Sequence, residues 1–171
     1  DLIISAFLHD VGITQVPIDL VAIPELKRSE KEQTLFNKHV EMAFELFPII
    51  DYAPNPRVAK IILEHHEKFN GTGYPKKLES FKIDNLAQVL SFADLLDTIC
   101  KGRWDGQKRE LPEALLVVAE FEKQTAFPKY FNPGVFRSIM KWLKEGGGAE
   151  HMQAATAVVE ETKENMTKAA S

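Results

Sequence analysis

The chain has 171 residues, enough for one domain with a substantial core, and its 44% apolar and 27% charged content is ordinary for a globular protein. A net charge of −4 lacks the basic excess of a general nucleic-acid binder, so DNA is not an expected partner, while a small anion held by a few local cations remains open. The single cysteine, Cys100, excludes an internal disulfide and fits a reducing cytoplasm, and no apolar run approaches the roughly 18 residues of a membrane span.

The chain opens on Asp1-Leu2-Ile3-Ile4-Ser5-Ala6-Phe7-Leu8, without a methionine and already inside an apolar run, so its natural sequence is expected to continue upstream. Leu2, Ile3, Ala6 and Phe7 follow helical spacing to about Gly12. Residues 13–28, with Pro17 and Pro24, read as a long connecting loop. Ser29 and Glu32 have the spacing of a capping box and open a helix that turns Leu35, Phe36, Val40, Ala43, Phe44 and Phe47 inward. After a break at Pro48, Pro54 and Pro56, Arg57 to Glu67 reads as a helix burying Val58, Ile61 and Ile62. Asp84 is the expected N-cap of a long helix to about Lys101, and further helices fit 112–125 and 133–145. The apolar residues of 133–145 suit a core or a homodimer face. Gly146-Gly147-Gly148 then breaks the chain, and 149–169 reads as a last amphipathic helix or a tail. The expectation is therefore an all-α helical bundle over residues 1–145, followed by a separate segment at 146–171.

Chemistry concentrates in four places. The first is His65-His66-Glu67-Lys68-Phe69-Asn70-Gly71-Thr72-Gly73-Tyr74-Pro75, two of the chain's five histidines running into a Gly-rich loop closed by Tyr-Pro. Imidazoles are metal ligands or acid/base groups, and adjacent ones on a helix point about 100° apart, so they can serve two metals, or one metal and a substrate. The second is His9-Asp10 at the end of the first helix, where local hydrogen bonding is the plainer reading of so short a string. The third is His39, placed by Leu35, Phe36, Met42 and Ala43 towards the buried face, where a hydrogen-bonded core histidine is the plainer reading. The fourth is Asp94 and Asp97, three apart on the long helix beside Leu90, where a buried carboxylate needs a metal or an arginine partner. Side chains from four successive helices can converge in a bundle core, and mixed nitrogen and oxygen donors suit Fe, Mn or Mg.

Leu8-His9-Asp10-Val11-Gly12, His39, the string from His65 to Pro75 and Phe92-Ala93-Asp94-Leu95-Leu96-Asp97 together resemble the HD-GYP family of HD phosphohydrolases, in order and in spacing. The resemblance covers residues 1 to about 145. It implies a helical bundle with two or three divalent metal ions, iron or manganese, and hydrolysis of cyclic di-GMP to pGpG and GMP by a metal-activated hydroxide. It implies His9, Asp10, His39, His65, His66 and Asp94 as metal ligands, with Asp10 as the bridge and Asp10 and His9 as catalytic residues. It also implies Tyr74, Gly73, Pro75 and Arg103 beside the bound dinucleotide, Arg103 on a phosphate, and signalling-protein contacts through the GYP loop. Further ligands, a Glu and a His, belong to an upstream helix outside these residues.

The sequence departs from the family pattern at Ile13, where a phosphate-binding lysine is usual, at Asn70 in place of Asp, at Gln88 in place of a frequent arginine, and at Arg103-Trp104-Asp105-Gly106. Those departures keep two alternatives open: a degenerate member that binds cyclic dinucleotides or partner proteins without hydrolysis, and a hydrolase for another phosphate ester.

Overall fold

The chain folds into helices joined by short turns, and the computed structural model describes residues 1–123 and 129–147. Among them the only β-type pairing is an isolated bridge between Asn70 and Glu79. The residues fall into two compact units, Asp1–Val135 and one beginning at Phe136. The tail expected at 149–169 lies outside the described residues.

In chain order the elements are α1 (Leu2–Leu8), a 3-10 turn (Val11–Gln15), α2 (Ile18–Val21), a second 3-10 turn (Glu25–Lys27), α3 (Glu30–Asn37) and α4 (His39–Leu46). After these come α5 (Pro56–Glu64), a third 3-10 turn (Ser80–Lys82), α6 (Asn85–Cys100), α7 (Leu111–Lys123) and α8 (Pro133–Lys144). Local chemistry explains most starts. Ser29 and Glu32 form the reciprocal capping box of α3. Asn55 accepts from the amides of Arg57 and Val58 ahead of Pro56 at the first position of α5, and Asp84 accepts from Leu86 N at the head of α6.

Three sequence-based expectations need correction. Residues 13–28 are not a loop: Pro17 and Pro24 each stand just before a short helical turn, where their fixed φ of −52° and −55° starts the turn instead of breaking it. The helix expected from Ser29 to Phe47 is two, because the turn tightens at Lys38, whose amide donates to Leu35 O. The helix expected to reach Glu67 ends at Glu64, so His65 and His66 occupy a turn and not a regular helix.

Helix α5 is the wedge of the first unit. Val58 and Ile62 pack with Ala43 and Phe47, against Leu8 and Val11, while Ile61 turns the other way to meet Ile83, Ala87 and Leu90 of the α6 side. Burying each such aliphatic side chain contributes about 2 kcal/mol. The apolar stripe of α1 does not turn inward as one face: Leu2 and Leu8 join the core, whereas Ile3 and Phe7 are exposed. Gln88 is buried with its Oε1 accepting from Asn132 N at 2.6 Å, a structural joint within the first unit.

Candidate metal centre

Three helices end where the histidines are. His9 is the C-cap of α1, His65 is the C-cap of α5, and His39 follows the end of α3 at Asn37. The last carbonyls of a helix lack intrahelical partners, and each histidine uses one of them. Nδ1 lies 2.9 Å from Ala6 O for His9, 2.8 Å from Phe36 O for His39 and 2.6 Å from Ile62 O for His65. A carbonyl only accepts, so Nδ1 carries the proton in all three rings and Nε2 is left with its lone pair outward. The C-termini of α1 and α5 also bring partial negative charge to one place, which favours a cation there.

The lone pairs converge on Asp10. Its Oδ1 lies 3.4 Å from His39 Nε2 and 3.8 Å from His65 Nε2, and its Oδ2 lies 3.5 Å from His9 Nε2. His9 Nε2 is also 3.9 Å from Asp94 Oδ1. Two donor groups result, one of Asp10, His39, His65 and His66 and one of His9, Asp10 and Asp94, each with its donor atoms within 4.8 Å of one another. Asp10 belongs to both, one oxygen towards each. Asp10 Oδ1, His39 Nε2 and His65 Nε2 are buried and make no hydrogen bond. Acceptors held face to face in this way repel unless a cation lies between them, and desolvated groups without partners are costly. That geometry and the mixed imidazole and carboxylate donors fit divalent cations.

Electrostatics agree. Burial alone would push the Asp10 carboxyl up, but when the imidazoles of His39 and His65 carry a proton on Nε2, in the place of a cation, they and the nearby His9 and His66 hold it well below the usual carboxylate range. Burial lowers His65, and burial together with the neighbouring His65 and His39 rings lowers His66 further, which favours the neutral form that ligates metal. Burial works against His9 too, yet Asp94 and Asp10 outweigh it and raise its pKa.

The GYP loop is fixed beside this cluster by Glu67. Its carboxylate, 1% exposed, accepts from Lys76 N at 2.6 Å and from Leu78 N at 2.8 Å. Gly73 is buried so tightly that a Cβ there would lie 2.3 Å from Lys68 N, and Asn70 Oδ1 accepts from the Thr72 amide and hydroxyl. The result presents the Tyr74 ring stacked on His66, centroids 4.7 Å apart. Burial and the carboxylates of Glu25, Asp94 and Asp10 push the Tyr74 phenol well up, so it stays protonated and able to donate. Replacing Glu67 by alanine strands two loop amides, and each lost charge-assisted bond is worth about 1.5–3 kcal/mol. The expected result is a clear fall in melting temperature together with proteolytic nicking between Gly71 and Leu78; an unchanged melting curve and cleavage pattern would contradict the clamp.

Beside the donor groups lies a cavity walled by Asp10, Asp94, His66 and Tyr74 and by Ile13, Arg28 and Arg103. A second hollow adjoins it, sharing Glu25, His66, Tyr74, Asp94 and Thr98 and adding Lys68, Trp104 and Tyr130. Of the residues that sequence reasoning singled out, His9, Asp10, His39, His65, His66 and Asp94 come together, and Tyr74 and Arg103 line the cavity. Gly73 and Pro75 shape the loop behind Tyr74 without lining either hollow. Asp97 turns away from the cluster and pairs with Arg103 Nη2 at 2.5 Å and Lys101 Nζ at 3.0 Å. Sequence reasoning missed Glu25, Arg28 and Lys68. All three carry charge at these two hollows, and the first two lie in the segment read as loop, where no periodicity marks an inward position.

A family model described as "HD domain" matches residues 1–127. A cyclic di-GMP phosphodiesterase of Pseudomonas aeruginosa is 29% identical over 139 residues, covering 81% of this chain and 31% of that protein. The 3'3'-cGAMP-specific phosphodiesterase 2 of Vibrio cholerae is 30% identical over 92 residues, covering 54% of this chain and 17% of that protein. Among solved structures, an HDG"Y"P protein from Bdellovibrio bacteriovorus superposes with a TM-score of 0.53 at 29% identity, over 68% of this chain and 37% of that one. The chain thus spans about a third or less of the curated relatives it matches.

Proposed function

This chain belongs to the HD domain family, in its HD-GYP branch, and on that premise we propose that it is a metal-dependent phosphodiesterase that hydrolyses cyclic di-GMP. The observation that carries the reading is the set of unpartnered buried donors, Asp10 Oδ1, His39 Nε2 and His65 Nε2, together with a cavity that Asp10 lines along with Tyr74 and Arg103. His9, Asp10, His39, His65, His66 and Asp94 would hold two or three divalent ions, Fe or Mn as in the family it resembles, and Asp10 belongs to both donor groups. Such ions, when bound, supply Lewis-acid stabilisation of phosphoryl charge and lower the pKa of water.

The protein's own groups do the rest. The Nδ1–H bonds to Ala6, Phe36 and Ile62 keep the three rings aimed, so no reorganisation is needed when charge develops. Arg103, steadied by Asp97, meets a phosphate of the dinucleotide, and the Tyr74 phenol donates to the substrate from the same cavity's wall. Gly73 and Pro75 hold Tyr74 in place. The reaction belongs to the cytoplasm, where the dinucleotide signal acts, and no described helix is long and apolar enough to cross a membrane.

A second reading, binding without hydrolysis, is favoured by Ile13, an apolar side chain in the cavity wall where the family pattern has a lysine. One experiment separates the two. Protein reconstituted anaerobically with iron or manganese should bind at least two metal equivalents and convert cyclic di-GMP to pGpG and GMP, with 3'3'-cGAMP assayed in parallel. Metal-loaded protein that binds the dinucleotide and releases no product would establish the second reading instead. Preferential turnover of 3'3'-cGAMP would reassign the substrate within the same chemistry.

A further inference from the structure

Four arginines lie in the first unit, and three of them have a carboxylate within 4.0 Å: Arg57 with Asp84, Arg103 with Asp97 and Arg109 with Asp105. Arg28 has none among the described residues. Its guanidinium carbon lies 3.6 Å from the centroid of the Phe36 ring, its Nε is buried without a hydrogen-bond partner, and its hydrogen bond from Nη1 to Gln33 Oε1 is a long one at 3.4 Å. Five N–H donors are therefore almost unspent on a half-buried cation, an arrangement that costs free energy unless an anion completes it.

The surroundings say where that anion comes. Arg28 and Phe36 line the same cavity as Asp10, His66 and Asp94, and Arg28 stands just ahead of the Ser29 capping box that anchors α3. The Phe36 face holds the guanidinium plane from one side, so little side-chain freedom is lost when a ligand engages its edge. Arg103, the other cavity arginine, already spends Nη2 on Asp97.

We propose that Arg28, stacked on Phe36 and without a carboxylate partner in the wall of the cavity that Asp10 also lines, is a substrate-contacting residue that binds a non-bridging phosphate oxygen of the ligand. It is a planar, bidentate-capable cation, suited to a phosphodiester in a way a point charge is not. Phe36 is then a positioning residue for it. This inference rests on the proposed phosphate-ester chemistry of the site, but not on cyclic di-GMP as the particular substrate.

The test uses manganese-loaded protein and two independent readouts: inorganic phosphate binding by calorimetry, and cyclic di-GMP turnover. Arg28→Gln should weaken phosphate binding about tenfold or more, the worth of one charge-assisted hydrogen bond, with manganese content and melting temperature close to those of the unmodified protein. Arg28→Lys should recover part of the loss, and Arg57→Gln, at the Asp84 pair, should leave phosphate affinity unchanged. Phe36→Leu should give an intermediate loss, expressed in KM more than in kcat where turnover is present. Equal phosphate affinity in Arg28→Gln and the unmodified protein overturns the assignment, as does an unmodified protein that binds no phosphate. Arg28-dependent phosphate binding without cyclic di-GMP turnover upholds Arg28 and faults the substrate reading.

Discussion

Replacing Asp10 by alanine is expected to remove at least one equivalent of divalent metal and to lower phosphodiesterase turnover about a thousandfold or more, in line with the several kcal/mol that metal stabilisation of phosphoryl charge contributes. No other side chain belongs to both donor groups. Its Oδ1 faces the Nε2 atoms of His39 and His65 and its Oδ2 faces that of His9, so one truncation removes a donor from each group. The surrounding imidazoles hold the carboxyl well below its usual range, so it is a carboxylate at every working pH and its loss is a loss of charge. Metal per chain, measured by mass spectrometry after dialysis, reads the first effect and product formation reads the second. Asp97→Ala is the useful comparison: Asp97 is turned to Lys101 and Arg103 and should keep the full metal complement. An Asp10→Ala protein with undiminished metal would end the reading of Asp10 as the shared ligand.

Gly12→Ala should be among the most damaging single-methyl additions in the chain. A Cβ at position 12 would lie 1.9 Å from His39 O and 2.7 Å from Ala43 N, both backbone atoms that no rotamer change can move. The 3-10 turn Val11–Gln15 rests directly on α4 at this point, so relief requires the two elements to part. Overpacking of this severity is worth about 3 kcal/mol or more, and the displacement separates Asp10 from His39 at the same time. The expected outcome is a lower denaturant midpoint together with weakened metal binding. An alanine protein with wild-type stability and affinity would show that the turn does not rest on α4 as described.

How much of this could be read beforehand depended on range along the chain. His65, His66 and the loop to Pro75 were legible because the whole device is local: two rings at a helix end, a glutamate that turns back to bond amides of its own loop, and glycines where backbones touch. The α3 capping box and the Asp84 cap were legible for the same reason. The end of α5 was misplaced because Glu67 extends an apolar-periodic segment in sequence, while in space its carboxylate is drawn off to Lys76 and Leu78. Residues 13–28 were misread because two prolines look like breakers until it is known that each stands before a turn. That segment carries Glu25, and its position depends on bonds from the amides of Glu25 and Leu26 to the carbonyls of Arg103 and Trp104, partners that no local pattern announces. Arg28 was silent for a related reason: an arginine beside a capping serine looks like any solvated cation until its missing carboxylate is noticed in space. Gln88, by contrast, which stands where the family pattern has a frequent arginine, serves as a buried joint to Asn132.

Those three imidazole-to-carbonyl bonds, each reaching back three residues, make the site a gauge of its own scaffold. A ring that borrows a carbonyl from the final turn of a helix keeps its aim only while that turn stays wound. If α1, α3 or α5 frays at its end, the same event releases the carbonyl and swings the donor nitrogen away from Asp10. Cation release and helix-end unwinding are then one equilibrium seen from two sides. Anything that tugs on the ends of those helices can loosen the ions without touching a ligand, and a tightly held ion winds the last turns of three helices at once.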